Sequence, residues 1–198
     1  MLGGGSFTAQ NKVLPGAYIN FVNAASAASM MGTRGTVAVP MVLDWGTEKN
    51  VIEMTAEDFS KNSLEVFGYS YDDPKMLPVR ELFRNMTKGI FYRLNGGAKA
   101  SNDFCTAKYS GERGNSLMTV ISKHVDDESK FDVITLLGGK EIEIQTVTAA
   151  TELKENRYVS FKKDATLAET AGTSLTGGSN GDEVSGEEYS GFLEKIES

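Results

Sequence analysis

In 198 residues the sequence holds one cysteine, Cys105, and one histidine, His124. A lone cysteine cannot close an intrachain disulfide, which suits a reducing compartment. With a single imidazole, neither a His-rich metal site, nor a Cys/His zinc set, nor a Ser-His-Asp triad with a spare base can be assembled. Basic residues are in the minority, 20 Lys+Arg against 27 Asp+Glu for a net charge of −7, and they form no block. That excludes nucleic acid as the expected partner, because affinity for phosphate backbones comes mainly from Lys and Arg displacing counterions. No apolar run approaches the ~20 residues that cross a bilayer, and Met1-Leu2-Gly3-Gly4-Gly5 has neither the basic nor the apolar region of a secretory signal. The expectation is a protein made and used without a membrane.

What is present is ordinary globular material, 40% hydrophobic and 24% charged, far from the composition that keeps chains disordered. The length suits one domain or two small ones. A chain of this size buries roughly 70% of its unfolded surface, enough for a core without staples.

Along the chain, a Pro15-Gly16 turn signal precedes Ala17-Tyr18-Ile19-Asn20-Phe21-Val22, an isolated β-prone run. The Ala-, Ser- and Met-rich segment from Asn23 to Arg34 suits either a short helix or a pliable linker. From Gly35 the pattern turns globular. Thr36 to Leu43 is a continuous apolar run, as in a strand buried on both faces, with Pro40 marking a bulge or an end to pairing. Thr55 and Asp58 signal a helix start, with a short helix to about Asn62. Asp73-Pro74 signals another, whose inner face is Val79, Leu82, Phe83 and Met86. Ile90 to Asn95 reads as a strand, completing an α/β grammar.

At Gly96-Gly97 the grammar becomes β. Leu117 to Ser122, Lys130 to Leu136, Glu141 to Val147 and Arg157 to Phe161 are predicted strands, with Gly138-Gly139 as a hairpin. The Glu-Ile-Glu-Ile alternation at 141–144 means one wet face and therefore an antiparallel sandwich or barrel. Thr170 to Asp182 has linker composition. Ser185 and Glu188 then have capping-box spacing ahead of an apolar stripe, Tyr189, Phe192, Leu193 and Ile196. The predicted class is α+β: a partial α/β core (35–97 plus 182–198) interrupted by an antiparallel β insert (98–181), after an arm and linker (1–34). A domain that resumes on a helix and stops at Ser198 is expected to be a piece of something longer.

Candidate chemistry is sparse. His124 beside Asp126 offers an acid-base pair or a solvated turn, and Cys105 a half-buried strand thiol without a nucleophile's partner. Asp126-Asp127-Glu128 and Glu187-Glu188 cluster oxygens as calcium sites and glycosidases do, without EF-hand spacing. Gly177-Gly178-Ser179-Asn180-Gly181 precedes a helix like a phosphate cradle, but no Lys follows and the neighbouring carboxylates repel phosphate. No enzyme, cofactor or metal site is predicted.

Phe7-Thr8-Ala9-Gln10-Asn11-Lys12-Val13-Leu14-Pro15-Gly16-Ala17-Tyr18-Ile19-Asn20-Phe21, followed by Arg34-Gly35-Thr36-Val37-Ala38-Val39-Pro40-Met41-Val42-Leu43-Asp44-Trp45-Gly46, resembles the start of contractile tail sheath proteins of the small prophage and R-type bacteriocin kind. The likeness continues through Tyr92 to Gly97, Ala107 to Asn115, Phe131 to Val133 and Gly177 to Gly181, covering nearly the whole chain. The resemblance implies a structural subunit, assembled in a bacterial cytoplasm, that polymerises with its own copies around an inner tail tube protein, meets a baseplate and tail terminator, and contracts without cofactor or nucleotide. It implies an arm strand, Ala17, Tyr18, Ile19, Asn20, Phe21 and Val22, lent to a neighbouring subunit; an ordinary edge strand is the alternative. It also implies an outward-facing β insert, and a C-terminal domain and arm that this chain does not carry.

The rival from another class is a carbohydrate- or surface-binding β-domain protein of a phage particle, with Trp45, Tyr109 or Tyr158 as a stacking platform. A tube or baseplate protein is a third reading.

Overall fold

The computed structural model describes residues 35–197. The predicted arm strand Ala17–Val22 and the segment 23–34 lie outside the described residues. The first unit runs β1 (Thr36–Met41), β2 (Val51–Thr55), α1 (Ala56–Phe67), α2 (Leu77–Phe83) and β3 (Lys88–Arg93). These strands form one sheet in the order β1-β3-β2, with β1 parallel and β2 antiparallel to the central β3. Strand β2 carries a carboxylate at Glu53 and only five residues, so it gave little pattern to read.

Helix α1 starts where expected. Thr55 accepts a hydrogen bond from the Asp58 N–H, and the Asp58 carboxylate accepts one from the Thr55 N–H. It continues past Asn62 to Phe67, because Phe59 and Phe67 are buried along it, and stops at Gly68, whose φ of 77° supplies the left-handed cap. Before α2, Asp73 accepts from the Lys75 N–H and a 3-10 turn, Pro74–Met76, leads into the helix. Helices α1 and α2 cover one face of the sheet with Met54, Phe59, Phe67, Met76, Val79, Met86 and Phe91.

The β insert comprises β4 (Cys105–Ala107), β5 (Leu117–Lys123), β6 (Phe131–Leu137), β7 (Lys140–Val147), β8 (Val159–Phe161) and β9 (Thr170–Ser174). A four-stranded antiparallel sheet, β7-β6-β5-β9, and a two-stranded one, β4-β8, enclose Leu117, Ile121, Val133, Leu153, Val159 and Leu175. Strand β9 corrects the linker reading of Thr170 to Asp182: its small Thr, Ala, Gly and Ser side chains complete the sheet beside β5, and Leu175 behind it is buried.

The alternation in β7 changes face partway along: Ile142 packs against the insert core as the pattern expects, but the residues after it do not. A bulge between Thr135 and Leu136 shifts the register, so Ile144 lies opposite Ile134, which lies opposite Val120, on the outer face. Ile144 is 48% exposed. Glu143 and Gln145 stand opposite Thr135 and Val133 on the inner side, where the Gln145 amide donates to the Lys154 carbonyl and accepts from the Lys154 N–H, both at 2.8 Å.

Helix α3 (Gly186–Glu197) opens on the predicted capping box, with Ser185 N–H and hydroxyl both donating to Glu188. It packs on the second sheet face through Phe192, 5.5 Å from the Tyr92 ring, with Ile196 partly buried beside Leu94. Tyr189 and Leu193, from the same predicted stripe, stay 48% and 56% exposed, so half of the stripe has no cover among the described residues.

Candidate assembly surface and the joint behind it

Strand β1 was expected to be buried on both faces, yet it is exposed over Thr36, Val37 and Ala38 and is an edge strand among the described residues. Gly35 and Met41 accept from Thr87 and Leu94 on the β3 side. By the strand alternation, Thr36, Ala38, Pro40 and Val42 turn their backbone groups outward. Pro40, having no N–H, therefore forfeits no ladder bond, which is why a proline is tolerated there. Val37 and Val42 are 39% and 61% exposed. Beside the edge runs a groove of about 230 Å³ lined by Val37, Pro78, Leu82 and Met86. Among the described residues no strand pairs with the outer side of β1, and an apolar edge of that kind is a ready template for a further strand.

Beyond Val42 the chain is held by a side chain: Asn95 accepts from the Leu43 N–H and donates to the Leu43 carbonyl, each at 2.8 Å. Lys75 donates to the Tyr69 hydroxyl at 2.6 Å and to Asp44 at 3.0 Å, and the Tyr69 hydroxyl donates to Asp44 at 2.5 Å. Burial, then the Asp44 carboxylate, pushes the Tyr69 phenol up; its hydrogen bond with Tyr69, then that with Asp44, raises Lys75. This knot borders a cleft of about 320 Å³ with apolar walls at Met41, Val42, Phe67 and Met76.

Where the two units meet, Arg93 is 1% exposed. Its Nη1 donates to the carbonyls of Gly46 at 2.8 Å and Ser110 at 3.0 Å. Nη2 is the one buried side-chain nitrogen or oxygen without a partner among the described residues. Burial lowers the guanidinium pKa, and the Glu48 and Asp44 charges oppose that. Glu48 in turn accepts from the Ser110 hydroxyl. From the insert, Arg113 donates to the Gly68 carbonyl at 2.8 Å and lies 4.4 Å over the Tyr69 ring. The Gly177 to Gly181 run, read as linker or cradle, is wedged here, and a Cβ at Gly181 would lie 1.8 Å from the Gly96 carbonyl oxygen.

The candidate chemical residues are dispersed. His124 pairs with Asp132 at 3.0 Å rather than with Asp126, because the β5-β6 ladder brings the two strand ends together; Thr146 donates to the same carboxylate. Asp127 accepts from Ser129 and Lys130 within its own turn, which holds its carboxyl down to about 2. Cys105 is fully buried rather than half-buried, 3.3 Å from the Thr119 hydroxyl, and burial pushes its thiol up. Glu187 and Glu188 sit in the first turn of α3. Among the described residues no group of three or more His, Cys, Asp or Glu is placed to hold a metal ion. Of the three candidate stacking residues, Trp45 is 0% exposed and so offers no platform; its ring is edge-on to Tyr109 at 5.3 Å and stacked with Tyr158 at 6.3 Å, both of them half-buried.

The two units match two family models whose boundary falls at this joint. Residues 34–94 match the N-terminal region of tail sheath protein Gp18 domain III, and residues 95–180 match the phage tail sheath protein beta-sandwich domain. The chain belongs to the phage tail sheath family.

Its relatives agree. It is 36% identical to the uncharacterized protein YqbK of Bacillus subtilis strain 168, over 99% of this chain and 46% of the relative. It is also 36% identical to the phage-like element PBSX protein XkdK of the same organism, over 85% of this chain and 37% of the relative. The sheath tail protein of Desulfitobacterium hafniense superposes with a TM-score of 0.76 at 36% identity, over 92% of this chain and 43% of that one. The sheath tail protein Lin1278 of Listeria innocua gives 0.75 at 34% identity, over 88% and 41%. The chain thus spans less than half the length of each of these relatives.

Proposed function

We propose that this chain works as part of a contractile tail sheath, a non-enzymatic structural subunit that polymerises with copies of itself around an inner tail tube and contracts to drive the tube out. The observation that carries the reading is the open apolar edge of β1 in the unit matching a sheath domain, since an edge of this kind adds strands from outside. In this account the arm Ala17–Val22 is the inter-subunit strand, 23–34 its tether, 35–97 with 182–198 the inner assembly unit, and 98–181 the outward insert. Main-chain hydrogen bonds give such a strand exchange its affinity, and a pliable tether lets bodies rotate while the strand stays docked. Contraction then needs no cofactor: an extended arrangement relaxes to a lower-energy packing when the baseplate releases it. The particle is a phage or bacteriocin tail built in the host cytoplasm, capped by a tail terminator.

Negative-stain electron microscopy of the product of the whole reading frame, with and without residues 1–22 and with purified inner tube, tests this. Striated sleeves from the first sample and dispersed subunits from the second are expected. Dispersed particles throughout, even with tube present, would refute the assignment.

A further inference from the structure

We infer that the β insert is not an autonomous domain: it completes its core with Trp45 from the α/β unit, and the two units fold as one cooperative body. Trp45 lies in the segment after β1, yet its burial is among Cys105, Leu117, Ile121 and Val159 of the insert. The indole nitrogen donates at 3.0 Å to the Glu65 carbonyl in α1. One side chain therefore has its ring in the insert's core and its polar atom in the other unit's helix.

Backbone contacts around it leave no slack. The Arg113 N–H donates to the Asp44 carbonyl at 3.1 Å, and the buried Arg93 binds a carbonyl from each unit. A Cβ at Gly111, where φ is 123°, would lie 2.0 Å from the Asp44 carbonyl oxygen. The two connections touch as closely, since a Cβ at Gly97 would lie 2.0 Å from the Ser179 carbonyl oxygen. An inserted domain on two covalent connections ordinarily moves and melts by itself. This one shares a core residue and a desolvated cation with its host, and removing either leaves a hole or unpaired carbonyls on both sides.

The chain supplies its own probes, because Trp45 is its only tryptophan and reports the joint, while Cys105 is its only cysteine and sits within the insert. Urea unfolding of the full chain, followed by tryptophan fluorescence and far-ultraviolet circular dichroism, is expected to give one coincident transition. Labelling of Cys105 by a thiol reagent under native conditions extends the test. Val79→Ala, fully buried in the α/β core and absent from the insert's core, should speed labelling about tenfold, because it destabilises the only unfolding unit. Trp45→Ala should speed it more than about a hundredfold and Trp45→Phe by less. Two separate transitions in the unsubstituted chain, or a Val79→Ala variant that melts earlier while Cys105 reacts at the original rate, would overturn the inference.

Discussion

The two units differ in what their edge strands present. In the insert, β6 and β5 are paired on both sides, the sheet is backed by β4 and β8, and the side chain of Gln145 ties the loop at Lys154 to the outer strand. In the α/β unit a single central strand, β3, is flanked by two strands that are both edges among the described residues, and one of them is apolar and exposed. The second face of that sheet is covered by α3, which leaves Tyr189 and Leu193 in solvent. Among the described residues both units have edge strands, β7 and β9 in the insert's larger sheet and β1 and β2 in the α/β unit; the α/β unit differs in that its β1 edge is apolar and exposed at Val37 beside Pro78, Leu82 and Met86, with Tyr189 and Leu193 also uncovered.

The sharpest way to break this contrast is a carboxylate placed in each unit. Val133→Asp buries an unpaired charge where the side chain is 1% exposed, and is expected to cost about 4 kcal/mol or more, visible as loss of folded protein in a thermal melt. Val42→Asp, at 61% exposure, should leave stability within about 0.5 kcal/mol while abolishing sleeves in the electron microscope. A stable Val133→Asp variant, or a Val42→Asp variant that still assembles, would erase the distinction.

Helix α3 sharpens it within one element. Phe192→Ala removes a ring packed on Tyr92 and should cost about 3 kcal/mol in urea unfolding. Leu193→Ala, one residue on and largely exposed, should cost less than about 0.5 kcal/mol. Equal losses would mean that the exposed half of the stripe is covered.

The smallest effect belongs to the turn at Asp127. Its folded carboxyl titrates at about 2, below the ordinary value of 3.8. A depressed acid contributes stability that is fully present above the unfolded pKa and is lost as pH falls toward the folded one, so the effect lies between about pH 4 and pH 2. Asp127→Asn should flatten the pH dependence of the unfolding midpoint across that window and lower the midpoint slightly at pH 7, where the carboxylate's contribution is fully present. A carboxyl that titrates near 4 by nuclear magnetic resonance would show that the Ser129 and Lys130 contacts do not hold it.

Much of this architecture was legible in the sequence because its signals are local. The Thr55/Asp58 and Ser185/Glu188 capping boxes and the Gly138-Gly139 turn each specify a boundary within a few residues, and the structure has them. What was not legible depends on partners far along the chain. Strand β9 is built of Thr, Ala, Gly and Ser, and only β5, some fifty residues earlier, makes it a strand. Apolar composition made β1 look buried on both faces, but burial of a strand is a property of its neighbours. The bulge that turned Ile144 outward leaves no mark in the Glu-Ile alternation itself. The joint was missed for the same reason. Trp45, Arg93 and Arg113 are separated in sequence, and their common role exists only once Gly46, Gly68 and Ser110 are brought between them.

The contrast between the doubly paired centre of the insert and the open β1 edge of the α/β unit is tested most directly by amide hydrogen exchange resolved by residue on the dispersed chain. The account predicts that Val133, Ile134 and Val120 exchange only through global unfolding, while the outward amides of Thr36, Ala38 and Val42 exchange at least about a hundredfold faster. Protection of those β1 amides equal to that of Val133 would mean that the edge is already occupied, and would contradict the claim that the α/β unit presents it for assembly.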